Sequence, residues 1–597
     1  MPQITIPSQD TKRFSRPSKG EVYGNIWSTK NMDFDSNLGK ARLSERLYRL
    51  YDDGDSANLE VPVKFIRSNG DATDRWWVLV QGGASAVDDG LLYKTTGTDP
   101  LVGWTAHSAT YNPTDAVDDM EIFGEYTTGQ DRLIVARDTD LAMVAILAIS
   151  GSWWTSESYL NQAALAATNP HPLHQFINLL LVADGNVLHT IDDSLVVVHS
   201  RITLPKQYQI IWIEDDGFRT YLGTRHTKGG EALVFPWDGT SKTYDTPLSV
   251  NDSISLAGRV DTEGIMHTIN GKGQLMAYNG QDFVEVAAFP IAENDLLRWA
   301  PDQARGQRVH PNGISLIDSK INILIDGRDS NGNLIENMHS GIWEYDKEVG
   351  LYHKYSLGQY DGTTNNEWGN SRLIAPGALV ETREDKGKIL AGAELYIDAG
   401  TTKLETIMTL SSEANQRGYF ITPQIHSTDI RTFWKRLNLA FKKFENTTDK
   451  IIVKYRIEKD KNFIGTNGIA NSFTITWTDT DTFTVSSTVL DNAEVGDEIE
   501  ITTGKGAGAC AHIASISGTT PNYTINLDET IPNVSGTAYA RIQNWIKLGE
   551  VSDNSLQKTL FKITKRSKWI QLKIILIGGQ TSPELEELLL EFNSSKR

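Results

Sequence analysis

The 597-residue chain has only one cysteine, Cys510, and no long apolar run. A single cysteine excludes an intramolecular disulfide framework and a zinc site built on cysteines. The longest apolar run, Leu141–Ser150, is far shorter than the ~20 residues that a membrane-spanning helix needs. The first residues are polar and lack the apolar core of a signal peptide. We therefore expect a protein that is made in a cytoplasm and has no membrane-spanning segment.

Positive charge is also scarce, because 57 Lys and Arg face 76 Asp and Glu, for a net charge of −19. Exposed nucleic-acid binders normally carry the opposite sign, since their affinity comes from neutralising phosphates. The sequence also lacks the G-x-S-x-G, H-E-x-x-H, P-loop and C-x-x-C motifs of common hydrolases, phosphate binders and redox sites. These features predict neither an enzyme nor a cofactor-binding protein.

What the chain does contain is a recurring hairpin phrase from about residue 60 to 411. Each instance has a short apolar strand, a turn with Gly or Asp, and a second strand with an aromatic residue, as in Leu233–Asp245 and Leu275–Val286. The dipeptides Asp238-Gly239 and Asn279-Gly280 favour the positive φ of tight hairpins. Most instances follow another strand pair, such as Asn178–Gly185.

Four strands repeated every 40–50 residues or so are typical of propeller blades. We therefore predict an all-β protein with a β-propeller of about seven four-stranded blades over 60–411. No WD or kelch signature marks the repeat, so a pair of sandwiches or a β-solenoid stays open as an alternative.

The two ends differ from the repeat. Residues 1–59 contain a polar, proline-bearing stretch with Lys12, Arg13 and Arg16, and then a strand–turn–strand phrase. We expect an N-terminal arm and leading strands there. Two interpretations stay open. In one, the leading strands close the propeller ring or pack beneath it, and in the other the arm docks on a neighbouring subunit.

The C-terminal end predicts two further β units. Period-2 alternation of basic and apolar residues favours a discontinuous β-sandwich over 412–463 and 546–597, with its cations on a solvated face or in a contact patch. Short strands with few charges over 464–545 predict a small β-barrel inserted into one sandwich loop. The stretch Glu584–Glu591 departs from an ideal strand and is a candidate helix.

This organisation resembles tail-associated virion structural proteins of tailed bacteriophages, of the nozzle or hub kind. The resemblance rests on GNIWSTKNMDFDSNLGKARLSERL (24–47), ITPQIHSTDIRTFWKRLNLAFKKF (421–444), KYRIEKD (454–460) and the closing SKWIQLKIILIGGQTSPELEELLLEF (567–592). The insert GDEIEITTGKGAGACAHIASI (496–516) is similar to small barrels of virion proteins. The resemblance to tail proteins implies a structural role in a virion tail, with copies of the chain in a ring and other tail or connector proteins as partners.

Several residues are candidates for sites. The acidic pairs Asp88-Asp89, Asp118-Asp119, Asp192-Asp193 and Asp215-Asp216 could serve a propeller glycosidase, although turn chemistry explains them as well. In one loop, residues with side-chain oxygens occupy alternate positions, and such oxygens could bind a hard cation such as calcium. An EF-hand loop would have glycine at position 334, however, and the leucine there favours a plain hairpin turn. The residues of that loop are Asp329, Asn331, Asn333 and Glu336.

Cations that are concentrated in an otherwise acidic chain are candidates for assembly contacts, since like-charged subunits need complementary patches. These are Lys12, Arg13, Arg16, Lys435, Lys442, Lys443, Lys565, Arg566 and Lys568. The sequence thus predicts a structural component of a virion tail, made in the host cytoplasm, that scaffolds a ring and forms part of the conduit for genome delivery. DNA would pass it without specific binding. The alternative from another class is a receptor- or glycan-binding tail protein, with or without glycosidase activity.

Overall fold

The structure is a computed structural model, and it describes the chain in segments. The described residues are 3–6, 28–34, 40–52, 59–68, 75–82, 92–95, 104–106, 117–123, 132–137, 141–145, 157–159, 165–166, 169–290, 308–327, 338–347, 350–357, 372–382, 388–396, 403–414, 417–422, 424–426, 432–457, 472–503, 506, 509–531, 534–543, 545–578 and 582–593.

The described part of the chain is built from β-strands, and five of them precede the repeat. They are β1 (Gln3–Ile6), β2 (Ser28–Lys30), β3 (Met32–Asp33), β4 (Arg42–Leu43) and β5 (Glu45–Asp52). Three of the five strands, β1, β2 and β5, pair with strands hundreds of residues further along the chain, whereas β3 and β4 pair with each other.

Four-stranded antiparallel sheets follow, each in simple meander order. Blade 1 comprises β6 (Leu59–Ser68), β7 (Arg75–Gly82), β8 (Leu92–Thr95) and β9 (Trp104–Ala106), and blade 2 comprises β10 (Val117–Phe123), β11 (Arg132–Arg137), β12 (Leu141–Ala145) and β13 (Glu157–Tyr159). Blade 3 comprises β14 (Leu173–Phe176), β15 (Leu179–Asp184), β16 (Val187–Asp192) and β17 (Val197–Thr203). Blade 4 comprises β18 (Tyr208–Asp215), β19 (Thr220–His226), β20 (Leu233–Trp237) and β21 (Leu248–Ser249).

Three more sheets complete the set. Blade 5 comprises β22 (Ser255–Val260), β23 (Met266–Asn270), β24 (Gln274–Tyr278) and β25 (Phe283–Ala288). Blade 6 comprises β26 (Ile314–Ile317), β27 (Lys320–Ile325), β28 (Gly341–Asp346) and β29 (Gly350–Ser356). Blade 7 comprises β30 (Arg372–Glu381), β31 (Ile389–Tyr396) and β32 (Lys403–Ala414), with β5 as its fourth strand.

The sheets form a closed ring. The first strand of each sheet contacts the first strand of the next, from β6 through β10, β14, β18, β22 and β26 to β30, and β30 contacts β6 again. Strands that meet in this cycle lie closest to the axis, so the architecture is a β-propeller. The predicted propeller is confirmed. Blade 7 takes its last strand, β5, from the N-terminal region, which fastens the two ends of the ring to each other.

Ion pairs join consecutive blades across these innermost strands. They are Lys64 with Glu121 at 2.8 Å, His174 with Asp215 at 2.6 Å, and Arg259 with Glu214 at 3.2 Å. Because each pair is partly buried between two sheets, it fixes one blade against its neighbour as well as neutralising charge.

Apolar packing between blades depends on glycine at one point. The ring of Trp212 in blade 4 lies directly on Gly223, where a Cβ would fall 1.8 Å from a ring atom, and its far edge lies against Gly258 of blade 5. The indole N–H donates to the carbonyl oxygen of Ser255 at 2.9 Å. Two glycines therefore create the slot in which a tryptophan joins two blades.

A β-sandwich follows the propeller. It contains four strands before the barrel, β33 (Arg417–Ile421), β34 (Ile425–His426), β35 (Thr432–Phe441) and β36 (Lys450–Ile457). Four more follow the barrel, β43 (Ile546–Val551), β44 (Lys558–Ser567), β45 (Trp569–Ile577) and β46 (Leu585–Asn593). One sheet has the order β1-β46-β35-β44, and the other has the order β2-β33-β45-β36-β43, with β34 also paired to β45. Their facing sides share one apolar core that includes Trp434, Leu437 and Leu572. The N-terminal strands β1 and β2 thus lie in the sandwich.

The insert is a closed six-stranded barrel with its own core, which includes Phe473, Ile499 and Ile542. Its strands are β37 (Ser472–Trp477), β38 (Thr482–Ser486), β39 (Glu498–Thr503), β40 (Cys510–Thr519), β41 (Asn522–Leu527) and β42 (Thr537–Gln543), and a 3₁₀ helix spans Thr488–Asn492.

The chain enters and leaves the barrel through neighbouring strands, since Tyr455 of β36 lies opposite Ile546 of β43. The expected sandwich with an inserted barrel is therefore present. The candidate helix at Glu584–Glu591 is wrong, because this stretch is strand β46 between β1 and β35. Leu588 and Leu590 of this strand lie in the sandwich core. No helix in the described segments is long and apolar enough to cross a membrane.

Candidate functional site

The most charged place in the interior lies where the barrel covers one face of the sandwich. Lys454 of β36 and Lys573 of β45 are both buried, and both bind the buried carboxylate of Glu498 in β39. The Lys573 Nζ lies 2.7 Å from Glu498 Oε1, and the Lys454 Nζ binds Oε2. One carboxylate thus bridges two ammonium groups from two sandwich strands.

A second buried carboxylate, Glu500, continues this arrangement along β39. It accepts hydrogen bonds from Arg541 Nε at 2.6 Å and from the side-chain amide of Gln543. We call Lys454, Lys573, Glu498, Glu500 and Arg541 the ionic seam. Nearby, Arg417 of β33 reaches Glu529 of the barrel at 2.7 Å.

Strand alternation explains why these charges meet. In β39 the side chains of Ile499 and Ile501 point into the barrel core, so Glu498 and Glu500 point outward. In β36 the side chains of Val453 and Tyr455 fill the sandwich core, which directs that of Lys454 to the opposite face. The outward acids of the barrel therefore face the outward lysines of the sandwich.

Electrostatics at the seam favour fixed ion pairs over proton transfer. Burial alone would raise the pKa of Glu498, but Lys454 and Lys573 outweigh this and hold it well below its usual range. Burial raises the pKa of Cys510 to about 12, so this thiol stays protonated at neutral pH. Among the described residues, no cluster of His, Cys, Asp and Glu could hold a metal ion. The seam is suited to holding two units in one orientation.

The propeller reaches the same region through blade 6. The hydroxyl of Tyr419 in β33 hydrogen-bonds to Nε2 of His339 at 2.5 Å, and Lys573 lies 4.5 Å from the centre of the Tyr419 ring. Burial lowers the pKa of His339 well below its usual value, so the imidazole is neutral. Propeller, sandwich and barrel are thus in contact within a few residues of one another.

The N-terminal strands complete this junction at Asn31, which is buried with a φ of +54°. Its side chain donates to the Arg417 carbonyl of the sandwich at 3.0 Å and accepts from the Ser356 N–H of blade 6 at 2.9 Å. Its own N–H donates to Nδ1 of His353 at 3.1 Å. Burial lowers the pKa of His353 to about 3, which keeps that nitrogen available as an acceptor.

The predicted assembly cations lie in the sandwich sheet that contains β35 and β44, but they do not form one patch. Lys442 and Lys443 follow the end of β35 next to Gln557, whereas Lys565 and Arg566 pair with its start, at Trp434 and Phe433. At about 3.3 Å per residue the two groups are roughly 25 Å apart. The cations therefore form two groups at opposite ends of the sheet, and their role as assembly contacts stays a prediction.

The members of these groups differ in their surroundings. Lys442 pairs with Glu445 at 3.0 Å and with Glu584 at 3.7 Å. Arg566 lies over the Phe433 ring at 5.8 Å. Lys435 is half-buried, and Lys443 and Lys568 are exposed. Most of these side chains remain accessible to a partner.

Other candidate residues lie outside the described segments. These are Lys12, Arg13 and Arg16 of the N-terminal region, Asp329, Asn331, Asn333 and Glu336 of the candidate cation loop, and the pair Asp88-Asp89. For them the expectations stated above stay predictions.

The described acidic pairs have structural partners. Asp216 accepts from the N–H groups of Phe218 and Arg219 in the turn after β18, and Asp192 accepts from the Val196 N–H. Asp119 accepts from the Leu173 N–H at 2.8 Å. These carboxylates cap turns and join blades, as the turn interpretation of the sequence expects.

Asp118 binds a histidine and gives a pH-dependent prediction. The His171 ring is buried, with Nδ1 2.5 Å from Asp118 and Nε2 3.6 Å from Asp184. Burial alone would lower the pKa of His171, but the hydrogen bond to Asp118 and the nearby carboxylate of Asp184 raise it to about 9. A raised pKa stabilises the fold fully below the unfolded value of about 6.5, and the stabilisation is lost as pH rises through about 9.

We therefore expect the thermal midpoint of the wild type to fall between pH 6.5 and 9, with His171 supplying on the order of 2 kcal/mol of that change. The His171→Gln variant should show a flatter profile in calorimetry over the same range. His310→Gln is the control, because burial lowers the pKa of His310 to about 4, outside this window. Equal slopes for wild type and His171→Gln would contradict the assignment.

Sequence reasoning missed the ionic seam. It placed the cations of β36 and β45 on a solvated face or in a contact patch for a partner, whereas Lys454 and Lys573 are buried against the barrel of the same chain. The signal that could have found it is the matching alternation of Glu498 and Glu500 in the insert.

No family model matches the chain, and no curated protein matches it in sequence. Solved structures with similar folds exist. The extracellular domain of a hybrid two-component system from B. thetaiotaomicron has a TM-score of 0.37 and 11% identity, with 74% of this chain aligned to 44% of that one. The chain thus spans less than half the length of that relative.

Two more solved structures each align over 61% of this chain. Virginiamycin B lyase from Staphylococcus aureus has a TM-score of 0.37 and 10% identity over 61% of this chain and 99% of its own. The WD40 β-propeller domain of Doa1 has a TM-score of 0.35 and 11% identity over 61% and 96%. At such identities the likeness concerns the fold alone.

Proposed function

We propose that this protein is a structural component of a tailed-phage virion, in or near the tail, where copies of it form a ring. The observation that carries the proposal is the path of Gly24–Leu47, the phrase on which the resemblance to tail proteins rests. Its strands enter the sandwich as β2, pack against blade 6 as β3, and begin the closing strand of the propeller as β5. A segment that ties the sandwich to two blades of the propeller is suited to a load-bearing scaffold.

Rigid coupling supports the same role. The ionic seam fixes the barrel on the sandwich, and Asn31 fixes the sandwich on blade 6. A ring that transmits force needs protomers whose parts keep one orientation, and buried, fully paired polar groups provide orientation more than net stability. The propeller then acts as a spacer, and the sandwich supplies lateral contacts.

The net charge of −19 suits a conduit for DNA. A predominantly acidic protein repels the phosphate backbone, whereas clustered cations would retain DNA through counterion release. In this proposal the genome passes the ring without specific binding, and the exposed cations of the sandwich serve contacts between subunits or with other tail and connector proteins.

The experiment has two arms. The chain should be found in purified virions of the phage that encodes it, and the isolated protein should give a discrete ring in native mass spectrometry. The variant Lys435→Glu/Lys442→Glu/Lys443→Glu should assemble less well and with altered salt dependence, because charges at a contact are screened by salt. The proposal would be overturned if the protein were monomeric and absent from virions, or if it bound glycans.

The matched control reverses exposed lysines of the propeller, Lys206→Glu/Lys228→Glu, which lie in connections on the other unit. It should assemble like the wild type. Thermal midpoints of both variants should stay near that of the wild type, because exposed ion pairs such as Lys442–Glu445 contribute at most about 1 kcal/mol.

A further inference from the structure

Large apolar side chains that remain exposed are concentrated in two places among the described residues. The first is the turn side of blades 3 and 4, with Phe218 at 84% exposure, Ile177 at 71%, Val196 at 55% and Val198 at 43%. Single exposed apolar residues need no explanation, but a group of four on adjacent blades is typical of a contact surface.

These residues lie on one side of the propeller. In a four-stranded meander the first and third turns lie at the same end of the sheet. Ile177 is in the first turn of blade 3, Val196 in its third turn, and Phe218 in the first turn of blade 4. The two blades touch here, because Arg201 of β17 donates to the Thr240 carbonyl in the third turn of blade 4. We call this surface the turn patch.

The turn that carries Phe218 is held firmly. One oxygen of Asp216 accepts from the Phe218 N–H at 2.8 Å and the Arg219 N–H at 2.7 Å, and the other accepts from the Tyr221 hydroxyl at 2.8 Å. Ile177 has a φ of +55°, which is strained for a β-branched residue. A preorganised, exposed aromatic ring is the usual form of an anchor residue at a protein interface.

The turn patch is acidic. Six carboxylates and three cations lie in or next to its turns or at the contact between its blades: Asp192, Asp193, Asp215, Asp216, Asp238 and Asp245, against Arg201, Arg219 and Lys242. A partner for this patch therefore needs apolar side chains between positive charges.

The second concentration of exposed apolar side chains has that composition. Along the edge strand β44 and its approach, Leu560 is 43% exposed and Leu556 39%, and Ile546 of the neighbouring strand β43 is 44% exposed. Exposed cations accompany them, namely Lys558, Lys562, Lys565 and Arg566, and the sequence has no carboxylate from Asn554 to Pro583. β44 is the last strand of its sheet in the order β1-β46-β35-β44.

We propose that the turn patch of one copy docks on the β44 edge of a second copy. Phe218 would lie against Leu556 and Leu560, and the aspartates of the turns would face the lysines of β44. Because the two surfaces differ, the contact is head-to-tail, and such contacts close into rings when the rotation allows it. This inference rests on the proposed function in that it names the contact by which the ring forms.

A charge exchange tests the contact. The variants Asp193→Lys/Asp245→Lys and Lys562→Asp/Lys565→Asp should each weaken association by about tenfold, and mixing the two variants should restore most of it at their shared contact. These residues are chosen because Asp192, Asp216 and Asp238, which accept hydrogen bonds within the turns, are left intact. Association is measured by analytical ultracentrifugation at two salt concentrations.

Phe218→Ser should weaken association as well, and Val284→Ser is its control, since Val284 is an exposed apolar residue of blade 5 outside the patch. Failure of the mixed variants to associate would overturn the contact, as would unchanged assembly of each variant alone. In those cases the wild-type ring would still support the proposed function. A wild type that stays monomeric would contradict both.

Discussion

Replacing Glu498 with Gln should lower the free energy of unfolding by about 3–5 kcal/mol and loosen the barrel from the sandwich. Glu498 is the ion-pair partner that the buried Lys454 and Lys573 share. Without its charge two ammonium groups face each other in the interior, and removing one partner of a buried ion pair is strongly destabilising. The loss is measured by chemical denaturation.

Hydrogen exchange locates the effect. Exchange should rise on β36, β45 and β39 at the ionic seam, while the interior of the barrel keeps its protection because its core is separate. The matched control is Glu550→Gln, which removes an exposed pair with Lys547 at 2.9 Å and should cost at most about 1 kcal/mol. Equal losses for the two variants would contradict the importance of the seam.

A triple replacement separates stability from orientation. Lys454→Met, Glu498→Leu and Lys573→Met together remove the charges and keep most of the volume, so the free energy of unfolding should change little or increase. If the seam serves to orient the barrel, this variant should be stable but assemble poorly. Assembly at the wild-type level would show that apolar packing orients the barrel equally well.

Local patterns predicted the fold class because they report local geometry. Asp238-Gly239 and Asn279-Gly280 both have glycine at positive φ in a hairpin turn, as their sequence indicates. Short strands with few charges in the insert predicted a small barrel, and these strands form it. Such signals extend over a few residues, so they identify strands and turns but not distant partners.

Distant pairing was therefore not predictable in detail. Strand β5 completes blade 7 and β1 pairs with β46, although each pair is separated by hundreds of residues. The alternation within a strand shows which of its faces is apolar, but it does not show which other strands pair with its two edges. The phrase that contains β5 was expected to close the ring or pack beneath the propeller, and its pairing required the structure.

The ionic seam shows the same limit for a site. Alternation in β36 correctly places Lys454 on the face opposite the sandwich core, but it does not say whether water or another unit covers that face. The barrel covers it, and the lysine is buried. For the assembly cations, proximity in sequence suggested one patch, whereas the antiparallel register of β35 and β44 places Lys442 and Lys565 at opposite ends.

Replacing Asn31 with Ala should lower the free energy of unfolding by about 3–7 kcal/mol and uncouple the sandwich from blade 6. The change leaves the buried Ser356 N–H and Arg417 carbonyl without the side-chain partners that Asn31 gives them, at about 1–3 kcal/mol each. It also places alanine at a φ of +54°, which costs about 1 kcal/mol more. Calorimetry measures both the loss and any separation into two transitions.

Two companion variants divide this loss into its causes. Asn251 has a nearly identical φ of +57° but is exposed, so Asn251→Ala should show only the backbone cost of about 1 kcal/mol. Asn31→Gly removes the same hydrogen bonds without the backbone strain, and it should be about 1 kcal/mol more stable than Asn31→Ala. If Asn31→Ala instead cost no more than Asn251→Ala, the hydrogen bonds of Asn31 would not hold the propeller to the sandwich, and the rigid coupling on which the scaffold depends would have to come from the ionic seam and the contact of His339 with Tyr419.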